Sequence, residues 1–297
     1  MKLGYHLAPW IRDGHLETFH RALDEIALSG WDGLELLGSW AVEMWGHKVA
    51  DLQALLRLHD LELASCYVSL SYLPERRDQE SELARRAIAL AAEAGGATVL
   101  LDGGPQRPTG TGEDDYKRVA DLANAIGAWA AEAGLQCCWH QHWGSMFEWA
   151  APFSRLMELT DPHLVKFCPD TAQLSMGDFD VPATFQTYGS RIGFVHFKDL
   201  DVNHTWATTA DHGGPATWSD TGGYHVDSRW RFVELGRGLI AFPALLALLR
   251  EAGYDGWILD DFDYSAYAAR EGSIANLRYL RHSLGLVGRR GHAGWAG

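Results

Sequence analysis

The sequence predicts an α/β fold, a single-domain (β/α)8 TIM barrel. Short apolar runs alternate with amphipathic helical segments from one end of the chain to the other, and they resolve into eight strand-helix units. The length, 297 residues, suits one large barrel, which typically takes about 250. The phosphate-cradling signature Gly-x-Gly-x-x-Gly is missing after the first strand, which weighs against an open doubly wound sheet. The chain shows neither an interdomain linker nor a short-period repeat.

The elements follow in order. Lys2–Ala8 alternates into a first strand, and Leu16–Ser29 has the apolar spacing of a helix. Gly30 stops that helix before a second strand, Gly33–Leu36. A second helix spans Lys48–His59, and Leu61–Ser69 is the third strand. Pro74 and a charged run lead into the alanine-rich helix Ser81–Ala94, which Gly95-Gly96 ends. Thr98–Leu101 is strand four, Asp114–Ala133 a long helix, and Leu135–Trp139 opens strand five. Pro152–Leu159 is helical, Leu164–Cys168 is strand six, and Pro182–Tyr188 is a short helix. Ile192–Phe197 is strand seven, Phe242–Ala252 a helix, Trp257–Leu259 strand eight, and Ser273–Leu284 the last helix. The barrel is thus expected over 1–287. It carries a loop or lid insertion at about 200–231, where the chain is irregular and rich in Gly, Asp, His and Trp. The Gly- and Arg-rich tail 288–297 is expected to be mobile.

The composition, 47% apolar and 22% charged, is that of an ordinary globular protein. With 25 basic and 39 acidic residues the formal charge is −14, which repels phosphate backbones, so no nucleic-acid partner is expected. No basic segment followed by an apolar stretch opens the chain, and no run of about 18 apolar residues occurs. The expectation is a cytoplasmic enzyme with no membrane partner. Cys66, Cys137, Cys138 and Cys168 all sit in apolar strand-like runs, as reduced buried thiols do. Thirteen tryptophans include Trp10, Trp40, Trp45, Trp143, Trp149, Trp206 and Trp218 outside the strands. They are divided between core packing and an aromatic wall for a sugar ring or a flat aglycone.

In such a barrel the active site lies at the C-terminal ends of the strands. Those ends carry His6, Glu35, Asp102, His140 and His142, Asp170, His196 with Lys198 and Asp199, and Asp260, Asp261 and Asp263. The strand bodies are apolar, so this convergence of His and Asp points to a divalent metal site. Strand five is the most telling stretch. If it runs through His142, both imidazoles share one face, as half a metal site or as a ligand beside a proton shuttle. Mixed imidazoles and carboxylates suit Mn²⁺ first, with Co²⁺, Zn²⁺ or Fe²⁺ as alternatives, better than Ca²⁺.

Several motifs sharpen this reading. They are Trp31-Asp32-Gly33-Leu34-Glu35-Leu36, His140-Gln141-His142-Trp143-Gly144-Ser145, Leu159-Thr160-Asp161-Pro162 and Asp170-Thr171-Ala172-Gln173-Leu174. Val195-His196-Phe197-Lys198-Asp199, Leu235-Gly236-Arg237-Gly238 and Gly253-Tyr254-Asp255-Gly256-Trp257-Ile258 complete the set. Through them nearly the whole chain resembles the xylose isomerase-like TIM barrel superfamily of sugar phosphate isomerases and epimerases, and within it the inosose dehydratase-type branch. The resemblance implies a metal held by His140, Asp170, His196 and Asp261. It also shows two departures. Asp261 stands where the family usually has Glu, and Gln173 where many members have His, which counts against two-base epimerisation.

The resulting expectation is a metal-dependent lyase acting on a cyclic keto-polyol or keto-sugar. It would abstract an α-proton, form an enediolate stabilised by the metal, and eliminate either hydroxide or the aglycone of a 3-keto-glycoside. The alternative on the same site is a sugar isomerase or ketose 3-epimerase. His142, Lys198 and Glu148 are the candidate catalytic groups; Lys198-Asp199 could equally be a structural ion pair at a strand end, and a helix-start carboxylate is the simpler reading of Glu148. His6, Trp10, Glu35, Trp143, Gln173 and Asp263 are candidate substrate contacts. A homo-oligomer or a small partner subunit is compatible with the sequence. A DNA-repair endonuclease would need a basic groove the chain lacks, and a non-catalytic sugar-binding barrel is the remaining alternative.

Overall fold

A computed structural model describes residues 1–7, 10, 16–108, 110–202, 230–263 and 269–290. Eight parallel strands form the barrel: β1 (Lys2–His6), β2 (Gly33–Leu37), β3 (Glu62–Val68), β4 (Thr98–Leu101), β5 (Gln136–His140), β6 (Val165–Cys168), β7 (Val195–Phe197) and β10 (Trp257–Asp260). Their order is β6-β5-β4-β3-β2-β1-β10-β7. The ring closes between β6 and β7 through the single bridges Phe167↔Ile192 and Asp170↔His196. Thr171 Oγ1 reinforces that seam by donating to the Lys198 carbonyl at 2.6 Å and accepting from the Lys198 amide at 3.0 Å.

The helices are α1 (Leu16–Ser29), α2 (Gly38–Trp45), α3 (Val49–Leu58), α4 (Arg77–Glu93), α5 (Glu113–Glu132), α6 (Ala150–Leu159), α7 (Thr171–Met176), α8 (Val181–Tyr188), α9 (Phe242–Glu251) and α10 (Ala269–Arg278). Their apolar stripes and the outward strand residues make one large core, including Leu3, Tyr5, Leu34, Leu36, Trp31 and Phe19. The inward residues make a second core of Ala64, Leu100, Cys138, Cys168, Phe194, Trp257 and Leu259. Strand alternation sorts the two sets. Trp257 plugs the lower end of the barrel because its neighbours are small. A Cβ on Gly33 would lie 2.7 Å from the Trp257 ring, and one on Gly4 would lie 2.9 Å from Leu259 Cδ1.

Several expected boundaries shift. β1 stops at His6 rather than Ala8, and β5 ends at His140, so His142 lies in the following loop. Two helices went unanticipated: α2, which follows β2 with no intervening loop, and α7, whose N-cap is Asp170. The ends of the expected insertion are regular. β8 (Asp199–Val202) pairs antiparallel with β9 (Trp230–Val233), and residues 203–229 lie outside the described residues, with Trp206 and Trp218 among them. The first three residues of the expected tail, 288–290, lie against the barrel floor. The Arg289 and Arg290 amides donate to Asp32 at 2.8 and 2.9 Å, and Arg289 pairs with Asp60 and Glu62. Residues 291–297 lie outside the described residues.

Candidate metal centre

The alternation that builds the inner core also places the polar groups. Two residues beyond an inward apolar or glycine position, every strand but β3 carries an ionisable side chain into the upper barrel. Leu100 is followed by Asp102, Cys138 by His140, Cys168 by Asp170, Phe194 by His196 and Leu259 by Asp261. Gly4 is followed by His6 and Gly33 by Glu35. All seven are buried.

Four of them converge. His140, Asp170, His196 and Asp261 each offer one ligand atom, and those atoms lie within 4.8 Å of one another. His140 Nε2 is 3.6 Å from Asp170 Oδ2, and His196 Nδ1 is 3.2 Å from Asp261 Oδ2 and 3.9 Å from Asp170 Oδ2. His140 Nε2 and Asp170 Oδ2 are buried with no hydrogen-bond partner. Burying such atoms unpaired costs free energy, so two of them facing each other across a donor set is the signature of a cation position.

The opposite atom of each of three ligands is held from behind. His140 Nδ1 meets the Tyr67 hydroxyl at 3.2 Å, and that hydroxyl is 3.4 Å from Asp102 Oδ2. With Nδ1 donating to Tyr67 and Tyr67 to Asp102, the Nε2 lone pair points inward. His196 Nε2 faces Glu35 Oε2 at 3.3 Å, which assigns its proton there and leaves Nδ1 for the centre. Asp170 Oδ1 caps α7 by accepting from the Ala172 and Gln173 amides at 2.9 and 2.8 Å, which leaves Oδ2 inward.

The electrostatics divide the groups. Burial and the neighbouring His196 push His140 down to about 3, so it is a neutral imidazole. Burial would lower His196 too, but the Glu35 and Asp261 carboxylates more than offset it and raise it to about 10. Burial would raise Glu35, yet His196 and His6 hold it down at about 2. Burial and His140 lower His142 to about 3. Lys198 resists the effect of burial because Asp261, Asp263 and Asp170 surround it, and its ammonium sits above the usual lysine range.

The family profile described as xylose isomerase-like TIM barrel matches residues 23–282. The chain belongs to that family. An inosose dehydratase from Lacticaseibacillus casei is 28% identical over 278 residues, covering 87% of this chain and 88% of that one. Among solved structures, the IolI protein with a bound zinc atom superposes with a TM-score of 0.72 at 15% identity, over 96% of this chain and 98% of that one. The 3-keto-D-glucoside 4-epimerase YcjR from E. coli gives 0.71 at 18% identity, over 95% and 99%. These two likenesses concern the fold.

The other expected site residues fall into different surroundings. His142, half-buried, presents Nδ1 to the Trp143 carbonyl at 2.8 Å and Nε2 to the Gln173 amide nitrogen at 3.3 Å. Gln173 Oε1 accepts from the Trp143 amide at 3.1 Å, and Trp143 packs on Ala172, Met176 and Leu200. Lys198 Nζ pairs with Asp261 Oδ2 at 3.3 Å and Asp263 Oδ2 at 2.5 Å, under the Phe232 ring of β9. It makes no ion pair with Asp199, which points to the outer side and accepts from the Gly236, Gly238 and Ile240 amides.

Four expected residues fall outside a substrate pocket. Trp10 is not a pocket wall: it is 4% exposed, edge-on to Tyr5, with its indole N–H on Glu25. Trp45 likewise belongs to the core. Glu35 is not a substrate contact, being fully buried and occupied by His6, Ser65 and His196. Glu148 braces the loop after β5, accepting from the Gly144 amide at 2.8 Å and from Gln106. Tyr67, Ser65 and Ser69 were not anticipated. The register of β3 shifts between Leu34↔Leu63 and Glu35↔Ser65, and that irregularity turns Ser65, Tyr67 and Ser69 inward.

Proposed function

We propose that this protein is a metal-dependent lyase acting on a cyclic keto-polyol or keto-sugar. The observation that carries the reading is the buried set His140, Asp170, His196 and Asp261, with His140 Nε2 and Asp170 Oδ2 unpartnered. The donor set fits a divalent cation, and its mixed imidazoles and carboxylates suit Mn²⁺, Co²⁺, Zn²⁺ or Fe²⁺. When bound there, such an ion supplies Lewis-acid polarisation of a substrate carbonyl and raises the acidity of the neighbouring C–H. The inosose dehydratase from L. casei supports the choice of a dehydrating reaction on a cyclitol ketone.

The residues divide the proton work. His142 is neutral, and with Nδ1–H donated to the Trp143 carbonyl its lone pair lies on Nε2. That lone pair accepts from the Gln173 amide at 3.3 Å, and the nitrogen takes the α-proton when substrate displaces this contact. Lys198 Nζ keeps its protons, so its role is to donate to the departing oxygen while Asp261 and Asp263 hold it in place. The α C–H and β C–O bonds break, a C=C bond forms, and the departing hydroxyl, hydrogen-bonded by Lys198, takes up the proton that His142 removed, so it leaves as water and His142 returns to its neutral form. Gln173 has no acid–base chemistry, and it keeps His142 oriented. A mass-neutral epimerisation needs a second proton-transfer group on the other face of the substrate, and Gln173 does not supply one.

The test is a screen of keto-inositols, 3-keto-glucosides and free ketoses with Mn²⁺, Co²⁺ or Zn²⁺ added to chelator-stripped protein. Metal-dependent loss of water or of an aglycone, seen by mass spectrometry, is the expected result. A product of unchanged mass, or equal activity with EDTA, would contradict the proposal.

A further inference from the structure

A second set of donors sits beside the first. His6, Asp261 and Asp263 each bring one ligand atom within 4.8 Å of the others. Asp261 belongs to both sets. The His6 ring is fixed through Nδ1, which meets Glu35 Oε1 at 2.7 Å, so Nε2 is the nitrogen left to serve as a donor. Two-metal hydrolases and transferases are built on this plan, with a carboxylate shared between ions about 3.5–4 Å apart. Here a side chain lies on the shared carboxylate. Lys198 Nζ, on a residue only 1% exposed, reaches Asp261 Oδ2 at 3.3 Å and Asp263 Oδ2 at 2.5 Å, and the Phe232 ring covers it 4.4 Å away.

We infer that the Lys198 ammonium takes the place of a second divalent ion, so that Lys198 fixes this centre as mononuclear and its removal opens a second metal position at His6, Asp261 and Asp263. The reasoning is one of charge and access. Two carboxylates so close in a buried site need a cation between them, and a lysine supplies one positive charge without a free ion. Removing it takes that positive charge from the Asp261 and Asp263 carboxylates, which still flank the inward-facing His6. Asp263 is 38% exposed at its side chain, which leaves a way in for an ion from solvent. The four-carbon stem of lysine is long enough to fill the position from the end of β7, two strands round the barrel from His6 on β1. The same contact steadies Asp261, whose carboxylate must serve the first position as well.

This inference rests on the proposed metal centre for the shared role of Asp261, and its test separates the two. Wild type, Lys198→Met, Lys198→Gln and the double variant Lys198→Met/Asp263→Asn are brought to equilibrium dialysis against Mn²⁺, and bound metal is counted by plasma mass spectrometry. The quantity read is the gain over wild type. One additional ion per chain in both single variants, abolished in the double variant, is the expected result. No gain in either single variant overturns the inference, as does a gain that persists in the double variant. Thermal melts in EDTA and in Mn²⁺ cover the case of poor folding. The single variants are expected to be destabilised in EDTA and to recover in Mn²⁺ by more than wild type gains. A variant that stays unfolded at saturating Mn²⁺ also counts against it, because an ion in the vacated place restores the lost charge. A wild type that binds no Mn²⁺ speaks instead against the first position, and the gain in the variants still decides the second.

Discussion

The two ends of the barrel use buried charge in opposite ways. At the N-terminal end, Asp32 is fully buried and satisfied on both oxygens. Oδ2 accepts from the Leu3 and Arg289 amides at 2.8 Å, and Oδ1 accepts from Arg290 at 2.9 Å. Above it Trp257 fills the lumen. At the C-terminal end Asp170 is equally buried, yet only Oδ1 is satisfied, while Oδ2 faces an unpartnered His140 nitrogen. Both aspartates sit at strand ends and both bind backbone amides. The difference is that Asp32 has both oxygens satisfied, whereas Asp170 leaves Oδ2 facing an unpartnered imidazole nitrogen. Buried polar atoms are ordinarily paired, and this open pair is the observation behind the proposed metal position.

The largest effect is expected at the upper end. His196→Ala removes a ligand and the partner of Glu35, so the protein should retain neither metal nor turnover while remaining folded by circular dichroism. Normal metal content in that variant would erase the contrast between the two ends. Next is His142→Ala, which should keep its metal and lose about 10²–10⁴ in kcat, the usual worth of a positioned base. Unchanged kcat would remove His142 from the proton path. Tyr67→Phe probes the support behind His140. Losing the hydroxyl that fixes the imidazole should weaken metal affinity about 10–100-fold in a competition titration with a chelating dye. The smallest functional effect belongs to the lower end. Asp32→Ala strands the buried Leu3 amide and two part-buried amides of the tail, and should cost about 1–3 kcal/mol in denaturant unfolding. Metal content and kcat of the folded protein should not move.

The sequence made the barrel legible because its strands are short apolar runs with stops at glycine, and α1 and β4 fall where the pattern puts them. The strand ends marked a wider group of His, Asp and Glu, and the family resemblance picked His140, Asp170, His196 and Asp261 out of it. What the sequence hid has physical causes. The irregularity in β3 breaks the two-residue period, so Tyr67 and Ser65 could not be placed inside from alternation. β5 stops before His142, so the two histidines of that stretch reach their places by different means, one from a strand and one from a loop. Trp10 looked like a pocket residue from its position after β1, but its indole is taken by Tyr5 and Glu25. Adjacency also misled at Lys198-Asp199. Neighbours in a strand point to opposite faces, so these two serve the lumen and the Gly236–Gly238 turn separately.

Anomalous X-ray diffraction from crystals of the wild-type protein grown in Mn²⁺ tests the central claim most directly. The account predicts one strong anomalous peak in the barrel, ligated by His140 Nε2, Asp170 Oδ2, His196 Nδ1 and an Asp261 carboxylate oxygen. A fully diffracting crystal with no peak among these four side chains, or with the ion held by other residues, would contradict it.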